Sequence, residues 1–324
     1  MQEAALQLNA RAVRAARRFA EAAAELRIGV SSPAGACVLD AGVSAPGGLA
    51  AGLALARLCT ADLAEVALVP GELAGVPTPW VHVHTDHPVA ACMASQYAGW
   101  QVAVGKFFAM GSGPMRAAAG REPLFERLGL RESPSAVAGV LEGRRIPDEA
   151  VIALIAERTR VDPSEVTLAV APTASIAGGV QVVARSAETA LHKLFELGFD
   201  LTRVVSAWGA APLPPPARDD LAAIGRTNDA ILYAGRVVLW VRGDDESLIE
   251  VGPKVPSSAG RGYGAPFAEI FEAAGRDFYK IDPLLFSPAE IVFRNLDTGR
   301  SHHFGRSDPQ VAARSLRRVR GLTS

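Results

Sequence analysis

Two charged side chains, Arg185 and Glu188, stand three positions apart in the stretch VVARSAETALHKL, directly after an apolar run that is typical of a strand. Residues three apart are neighbours on a helix surface, so the two side chains can touch if a helix begins near Arg185. Most pairs of this kind are solvated ion pairs, which stabilise a protein little. Their types and spacing alone leave open whether the pair is structural or catalytic.

The stretch HVHTDHP at residues 82–88 contains a second arrangement with chemical potential. His82 and His84 lie on one face of a strand, because alternate side chains point the same way, and such a pair can hold a metal, as in metal-dependent amidohydrolases. A catalytic zinc ion needs at least three protein ligands. The other histidines are His87, His192, His302 and His303. Because His192 falls in a predicted helix and the last two fall in a polar tail, the chain supplies a third ligand poorly, and we predict no metal.

A glycine-rich stretch, VGKFFAMGSGPMRA at residues 104–117, resembles a phosphate-binding loop only superficially. It lacks the GxxxxGK[ST] pattern, and its lysine precedes the glycines. A helix that begins at Pro114 with Ser112 as its cap would still bring backbone amides close to a ligand. The stretch is therefore interpreted either as a structural turn or as part of a binding site.

The polar residues Thr227, Asn228 and Asp229 stand immediately before a predicted strand in RTNDAILY. Residues of these types usually bond to the backbone of a turn. An amide or a carboxylate can also pair with the amino-pyrimidinone edge of a flat heterocycle, as it would with a base. Periodicity does not choose between the two roles.

The overall composition limits the classes of protein to which the chain can belong. Its 324 residues, 49 % hydrophobic and 21 % charged, are typical of a globular protein with two domains or subdomains. A net charge of −1 favours neither nucleic acid nor an anionic membrane as a partner. The cysteines lie far apart without a CxxC pair, which is typical of a reducing compartment and predicts a cytoplasmic protein. No signal peptide and no membrane segment are predicted.

Helix-like and strand-like stretches do not alternate regularly enough for a barrel or a doubly wound sheet, so we predict two α+β subdomains with the active-site cleft between them. They are expected to cover residues 1–165 and 166–324, and a discontinuous division is left open. A helix is predicted for HPVAACMASQYAG, ending at Gly99, and a terminal helix for the basic run at 314–320.

Three further predictions concern strands. The uncharged run at residues 166–184 is predicted as strand, loop and strand, because proline and glycine interrupt it. WQVAVGKFFAM is predicted as a single strand, and DAILYAGRVVLWV as a hairpin that turns near Ala234 and Gly235.

Several stretches taken together resemble the methenyltetrahydromethanopterin cyclohydrolase family, in order from about Gly35 to about Glu290. They are TDHP (85–88), QYAGWQV (96–102), VGKFFAMGSGP (104–114), VAPTASIAGGVQVVAR (170–185), ETALHKL (188–194), DDLAAIGRTNDAILYAGRV (219–237) and FYKIDPLLFSPAE (278–290). Small departures occur where Arg226 and Arg218 stand at positions at which lysine and glycine are usual in the family.

The resemblance implies a hydrolase of cyclic amidines in one-carbon metabolism. Such an enzyme opens the 5,10-methenyltetrahydromethanopterin cation with water, reversibly, to give the 5-formyl compound. The resemblance further implies two α+β subdomains with the pterin between them, no metal or other cofactor, and a homo-oligomer, with a trimer favoured. The catalytic Arg-x-x-Glu of the family matches Arg185 and Glu188 in this chain.

The implied reaction gives each member of this pair a role. The reacting carbon lies between two nitrogens that share a positive charge, so water that adds to it becomes acidic and a carboxylate can take the proton. Glu188 is expected to be this general base, and Arg185 to orient the carboxylate and the water. Burial would raise the pKa of Glu188 and the guanidinium would lower it, and we expect the arginine to keep the base ionised at neutral pH.

A wider set of substrate-binding residues is predicted from the matching stretches and from residue chemistry. It consists of Asp86, His87, Lys106, Phe107, Ser112, Thr173, Ser175, Asn228 and Asp229. Two alternative functions are kept, a metal-dependent amidohydrolase that uses His82 and His84, and a catalytically silent pterin-binding protein.

Overall fold

Short runs rich in β-branched residues form the strands of the computed structural model, which describes residues 6–277 and 280–316. In chain order the strands are β1 (Gly29–Ser31), β2 (Cys37–Asp40), β3 (Glu65–Val69), β4 (Glu72–Leu73), β5 (Val76–Pro77), β6 (Trp80–Thr85), β7 (Trp100–Val104), β8 (Phe107–Ser112), β9 (Val137–Glu142), β10 (Val166–Ala171), β11 (Val204–Pro212), β12 (Arg236–Val241), β13 (Glu290–Asn295) and β14 (Ser301–Gly305).

The helices of the described residues are mostly short. They are α1 (Leu8–Glu21), α2 (Ala23–Leu26), α3 (Leu49–Cys59), a π-helix (Val89–Gln96), α4 (Met115–Ala119), α5 (Pro123–Leu128), α6 (Glu149–Thr159), α7 (Ile176–Val183), α8 (Ser186–Glu196), α9 (Asp220–Ala234), α10 (Asp245–Val251), α11 (Phe267–Ala273) and α12 (Pro309–Leu316). Single 3₁₀ turns occur at Pro33–Gly35, Pro163–Glu165, Leu201–Arg203, Gly252–Lys254, Ser257–Ala259 and Pro283–Leu285. None of the described helices is both long enough and apolar enough to cross a membrane.

The first sheet has the order β1-β2-β10-β9-β8-β7. Its central strands β2, β10 and β9 are parallel, and the strands at both edges are antiparallel to their neighbours. Phe19 of α1 and Leu55 of α3 cover one face, and Ile152 and Ile155 of α6 cover the other. Parallel strands need cover on both faces, which this arrangement supplies.

The second sheet has the order β14-β13-β12-β11-β6-β3, in which only β12 and β13 run parallel. Leu191 of α8 packs with Leu239 and Ile291 on one of its faces. Helix α3 contacts strands of both sheets, and α7 packs between α3 and α9. A layer of helices therefore separates the two sheets, and the α+β class predicted from the sequence is confirmed.

Each sheet contains strands from separate parts of the chain. Strands β3 and β6 come from the first half of the sequence and lie in the second sheet, whereas β10 comes after residue 165 and lies in the first. The sheets thus do not follow a division at residues 165 and 166. The subdomain boundaries themselves stay a prediction.

The run at residues 166–184 differs from its prediction, because its second apolar part is helix α7 rather than a strand. Ser175 caps this helix by accepting a hydrogen bond from the Gly178 amide at 3.0 Å. A Cβ on Gly178 would lie 2.0 Å from the Pro172 carbonyl oxygen, and one on Gly52 of α3 would lie 2.7 Å from Val180 Cβ. The glycines therefore permit close packing of α7. The helix was not predicted because a helix that is buried on most sides lacks the alternation of apolar and polar residues by which a helix is recognised.

The hairpin predicted for DAILYAGRVVLWV is also wrong, because the first half of that stretch completes helix α9. Ile231, Leu232 and Tyr233 are buried on this helix, and the Gly235 amide ends it with a bond to the Ile231 carbonyl at 2.9 Å. These residue types favour strands, but here tertiary packing outweighs that preference and they are helical.

Two other predicted elements are present in the structure but have different boundaries from those predicted. WQVAVGKFFAM forms two strands, β7 and β8, because Gly105 adopts a φ of 55° and turns the chain at Lys106. The helix predicted to end at Gly99 is the π-helix, which ends at Gln96. The described part of the basic C-terminal run lies in α12, and residues 317–324 and 278–279 lie outside the described residues.

A buried carboxylate at the start of α10 ties this helix to β13 and β14. Asp245 accepts hydrogen bonds from the side chains of Asn295 at 2.8 Å, Thr298 at 3.0 Å and Arg300 at 3.1 Å, and it lies 2.9 Å from His302 Nε2. The bond to His302, followed by the other donors, lowers the pKa of Asp245 to about 2.

We expect Asp245→Asn to lower the free energy of unfolding at neutral pH. The carboxylate is charged more readily in the native state, so its contribution is present above its ordinary pKa of 3.8 and is lost as the pH falls towards about 2. Urea unfolding at several pH values checks this. The difference between the free energies of unfolding of the variant and the parent protein should become smaller below about pH 4. Glu250→Gln on the same helix, at an exposed position, is the control. A difference that stays constant over this pH range would contradict the prediction.

Candidate active site

The junction between α7 and α8 places Arg185 and Glu188. Helix α7 ends at Val183, Arg185 has the non-helical angles φ −83° and ψ 5°, and α8 begins at Ser186 with Glu188 in its first turn. Arg185 is only 7 % exposed and Glu188 only 5 %. The interpretation as a solvated surface pair is therefore wrong, since both charged groups are buried at one junction.

The guanidinium of Arg185 is held by neutral groups from three other elements. Its Nη1 donates to the carbonyl oxygen of Gln96 at the end of the π-helix. Its Nη2 donates to Ser112 Oγ at 3.2 Å, at the end of β8, and lies 3.8 Å from Cys59 Sγ at the end of α3. Within the described residues no hydrogen bond or ion pair joins it to Glu188, so the contact expected from the spacing is absent. Arg185 precedes the helix, and the helical neighbour rule does not apply to it.

Three buried polar atoms near this junction have no hydrogen-bond partner among the described residues. They are Ser95 Oγ, Gln96 Oε1 and Ser186 Oγ. The Gln96 amide nitrogen donates to the Ala184 carbonyl at 3.2 Å, which fixes this side chain against the junction. Buried polar atoms are nearly always paired, and π-helices are frequent at functional sites. The junction can therefore accept hydrogen bonds from a ligand or from water.

Glu188 carries a strongly perturbed carboxyl group. Burial raises its pKa to about 7, although the nearby charges of Arg185 and Arg116 act to lower it. No described residue donates a hydrogen bond to this carboxylate. Desolvation outweighs the guanidinium, so at neutral pH the carboxyl group is divided between its ionised and protonated forms, and the expectation that the arginine keeps the base ionised stays a prediction. A carboxyl group with a pKa near 7 can both take and return a proton.

A stack of three side chains lies beside Glu188. Arg116 is fully buried, pairs with Glu122 through a 3.0 Å Nε–Oε1 bond, and places its guanidinium carbon 4.9 Å from the ring centre of Tyr97. The Tyr97 ring in turn stacks on His192, with centroids 4.9 Å apart and planes at 21°. The charge of Glu188 helps to raise the pKa of Tyr97 to about 12, after the larger effect of burial.

A cavity of about 190 Å³ opens at the other end of α7. Its walls come from α3, from the loop after β10, from α7, from the proline loop after β11, and from α9. The lining residues are Leu49, Thr173, Ser175, Ile176, Gly179, Leu213, Pro214, Pro215, Pro216, Ala217, Ala223, Arg226 and Thr227. Since β10 and β11 belong to different sheets, the cavity lies between the two sheets, with α7 leading from it to Arg185.

Three of the predicted substrate-binding residues lie at the cavity or the junction. Thr173 and Ser175 line the cavity, where Thr173 donates to Glu142 and Ser175 caps α7. Ser112 holds Arg185, and it does not cap the helix after it, whose N-cap is Pro114.

The other predicted residues are dispersed. Asp86 accepts a bond from Ser206 Oγ at 2.7 Å, and the His87 amide donates to Thr85 Oγ1 at 3.0 Å. Lys106 is exposed at the turn between β7 and β8, and Phe107 is buried in the core of the first sheet. As substrate-binding residues these four stay predictions.

Asn228 and Asp229 lie inside α9 rather than before a strand. Asn228 Nδ2 donates back to the Ile224 carbonyl at 2.9 Å. Asp229 is fully buried, and its Oδ1 accepts a bond from the Phe267 amide at 2.9 Å, where α11 begins. Both side chains thus have structural partners, and their binding of substrate stays a prediction.

The paired histidines of β6 lie on the second sheet. His82 packs edge-on against Trp208 with ring centroids 5.1 Å apart, and His84 is exposed. Across residues 6–277 and 280–316 no group of three or more His, Cys, Asp or Glu side chains is arranged to hold a metal ion. All three cysteines are free thiols.

Sequence reasoning missed Cys59, Gln96, Tyr97 and Arg116. Gln96 and Tyr97 lie in QYAGWQV, one of the stretches that carry the family resemblance, so that resemblance could have indicated them. No local pattern marks Cys59 or Arg116, because their contacts join segments far apart in the chain.

Comparisons with known proteins give a consistent result. A family model described as cyclohydrolase (MCH) matches residues 7–316. The chain is 51 % identical over 288 residues to a protein of Rhodopirellula baltica, covering 87 % of this chain and 86 % of that one. It is 46 % identical to a protein of Methylobacillus flagellatus, with 88 % and 87 % covered, and 43 % identical to one of Methanococcoides burtonii, with 87 % and 89 % covered. All three relatives bear the name methenyltetrahydromethanopterin cyclohydrolase.

Proposed function

The chain belongs to the cyclohydrolase (MCH) family, and from that premise we propose that it is the enzyme that reversibly hydrolyses the 5,10-methenyltetrahydromethanopterin cation to 5-formyltetrahydromethanopterin. The observation that carries this proposal is the buried carboxyl group of Glu188, whose pKa of about 7 suits a general base. The names of relatives at 43–51 % identity support the substrate.

The proposed reaction begins with water at the carbon between the two ring nitrogens. The water oxygen bonds to this carbon, one water proton passes to Glu188, and the electron pair of the amidinium returns to nitrogen. Glu188 then returns this proton to N10, the bond from carbon to N10 breaks, and N10 leaves as an amine. The new hydroxyl gives its own proton to the Glu188 carboxylate as it becomes the formyl oxygen, so Glu188 holds the released proton at the end of the reaction. One proton in total is released for each substrate cation.

Arg185 acts in this proposal through its charge and its fixed position. Its bonds to Gln96 and Ser112 hold the guanidinium in one place, from which it lowers the pKa of Glu188 against the effect of burial. Without it the carboxyl group would stay protonated at neutral pH and could not activate water. Fixed charges that do not have to reorganise are an efficient means of stabilising a charged transition state.

We assign the part of the substrate that extends away from the reacting carbon to the cavity between the sheets, because α7 separates this cavity from Glu188. Its volume is about 190 Å³, its walls of leucine, isoleucine and proline suit apolar atoms, and the hydroxyls of Thr173 and Ser175 offer polar contacts. The proposal also includes the homo-oligomer, with a trimer favoured, and the cytoplasmic location expected from the sequence.

The direct test is to incubate the purified protein with the methenyl cation in metal-free buffer that contains a chelator, and to follow the loss of the substrate's chromophore. Catalysed loss supports the proposal. Activity that the chelator abolishes would favour the amidohydrolase alternative, and binding without consumption would identify a silent pterin-binding protein.

The pH dependence of the reaction gives a second prediction. Because Glu188 acts as a base only when ionised, kcat/KM for hydrolysis should rise with pH through about 7 and level off above it. Initial rates across this range, in buffers of constant ionic strength, check the expectation. An inflection near the ordinary pKa of a glutamate, 4.5, would contradict the burial of this base.

A further inference from the structure

The proposed reaction releases one proton from a buried site. A cation and neutral water give a neutral product, so a proton must reach solvent in every turnover. This step rests on the proposed function and concerns what happens after Glu188 has accepted a proton. Since Glu188 is only 5 % exposed, the proton needs a defined route from this carboxyl group to water.

Helix α8 carries three titratable side chains on one face, four residues apart. Glu188 is buried, the side chain of His192 is 12 % exposed, and that of Glu196 is 39 % exposed. His192 Nε2 lies 3.6 Å from Glu196 Oε1. Residues four apart on a helix have Cβ atoms about 5–6 Å apart. No hydrogen bond joins Glu188 to His192 among the described residues, so in the route that we infer one water molecule connects the two side chains. The three side chains lead stepwise from the interior to solvent.

The surroundings of His192 pack against its ring and keep it neutral. Tyr97, at the end of the π-helix, stacks on the imidazole. Burial, with the charges of Lys193 on its own helix and Arg116 on α4, lowers the pKa of His192 to about 4. Glu122 pairs with Arg116 on the far side of Tyr97, and Glu196 is the one carboxylate among the described residues that lies within 4 Å of this imidazole. A neutral imidazole has one nitrogen that accepts a proton and one N–H that donates.

We propose that His192 transfers the released proton from Glu188 to Glu196 and so to solvent. The proton on the Glu188 carboxyl passes through the water to the free ring nitrogen. The N–H on the other nitrogen gives its proton to the Glu196 carboxylate once a small side-chain movement, or a second water molecule, closes the 3.6 Å separation. Glu196 then loses that proton to water, and the imidazole regains its first tautomer by rotation of the ring or by proton exchange with water, which resets the path. No oxidant, reductant or metal takes part.

The test is the dependence of kcat on buffer concentration in His192→Gln, which keeps a polar side chain but cannot relay a proton. In dilute buffer at constant pH and ionic strength we expect kcat to fall by about 10-fold or more, with KM unchanged. Added imidazole, as a small diffusible base, should restore the rate with saturation. Glu196→Gln alters an exposed residue and should show a smaller, equally rescuable decrease.

The control is His303→Gln, which removes an exposed histidine that faces Glu290 at 3.3 Å on the second sheet. It and the parent protein should show rates independent of buffer. Normal turnover of His192→Gln in dilute buffer, or a loss that no small base restores, would overturn the relay. If the parent protein itself leaves the methenyl cation unconsumed, the proposed function fails, which is a distinct result.

Discussion

Replacing Glu188 by glutamine is expected to lower kcat by about 10²- to 10⁴-fold, with little change in KM. Glutamine keeps the shape and burial of the side chain but cannot take a proton from water. The variant should also lose the inflection near pH 7, since that inflection belongs to the buried carboxyl group. Single-turnover loss of the methenyl chromophore separates this chemical step from binding.

A matched control is Glu149→Gln, which makes the same change in the first turn of α6, where the side chain is exposed. It should retain normal turnover. Near-normal kcat in Glu188→Gln would remove this residue from the role of general base and leave the family assignment intact.

Arg185→Met is expected to lower kcat at neutral pH by about 10-fold or more and to move the inflection of the pH profile above 7. The guanidinium is the largest influence that lowers the pKa of Glu188, so its loss leaves the carboxyl group protonated at a higher pH. The measurement is kcat/KM from about pH 6 to pH 9.

Arg185→Lys separates charge from geometry. Lysine keeps the positive charge but has no planar fork to reach both Gln96 and Ser112. Its inflection should stay closer to that of the parent protein even if kcat falls. Equal inflections in the parent, lysine and methionine forms would show that Arg185 does not act through the ionisation of Glu188.

The family resemblance of the sequence indicated Arg185 and Glu188 as the proposed catalytic pair, but it did not indicate their environment. The Arg-x-x-Glu stretch and its neighbours indicate the family, because several matching segments occur in order. The partners of Arg185 lie at Cys59, Gln96 and Ser112, and no local pattern connects positions so far apart. The balance between burial and charge at Glu188 follows from this non-local packing, so the direction of its pKa shift had to come from the structure.

The errors in secondary structure have a related cause. At Val182 and Val183, and again at Ile231 and Leu232, β-favouring residues lie in buried helices. A helix covered on most sides needs no polar face, so the alternation on which prediction depends is missing. Asp229 was predicted to lie before a strand, because no feature of the sequence places it inside α9 beside the first turn of α11.

The bonds of Arg185 have a mechanical consequence. Ser112 ends a strand of the first sheet, whereas the π-helix that contains Gln96 follows directly from β6 of the second. Arg185 directly precedes α8, which packs against β11 and β12 of the second sheet, so its bond to Ser112 links the two sheets at the proposed catalytic pair. A hinge motion that separated the two sheets would break these bonds, so we expect the sheets to stay together during turnover and the substrate to enter through an opening that already exists.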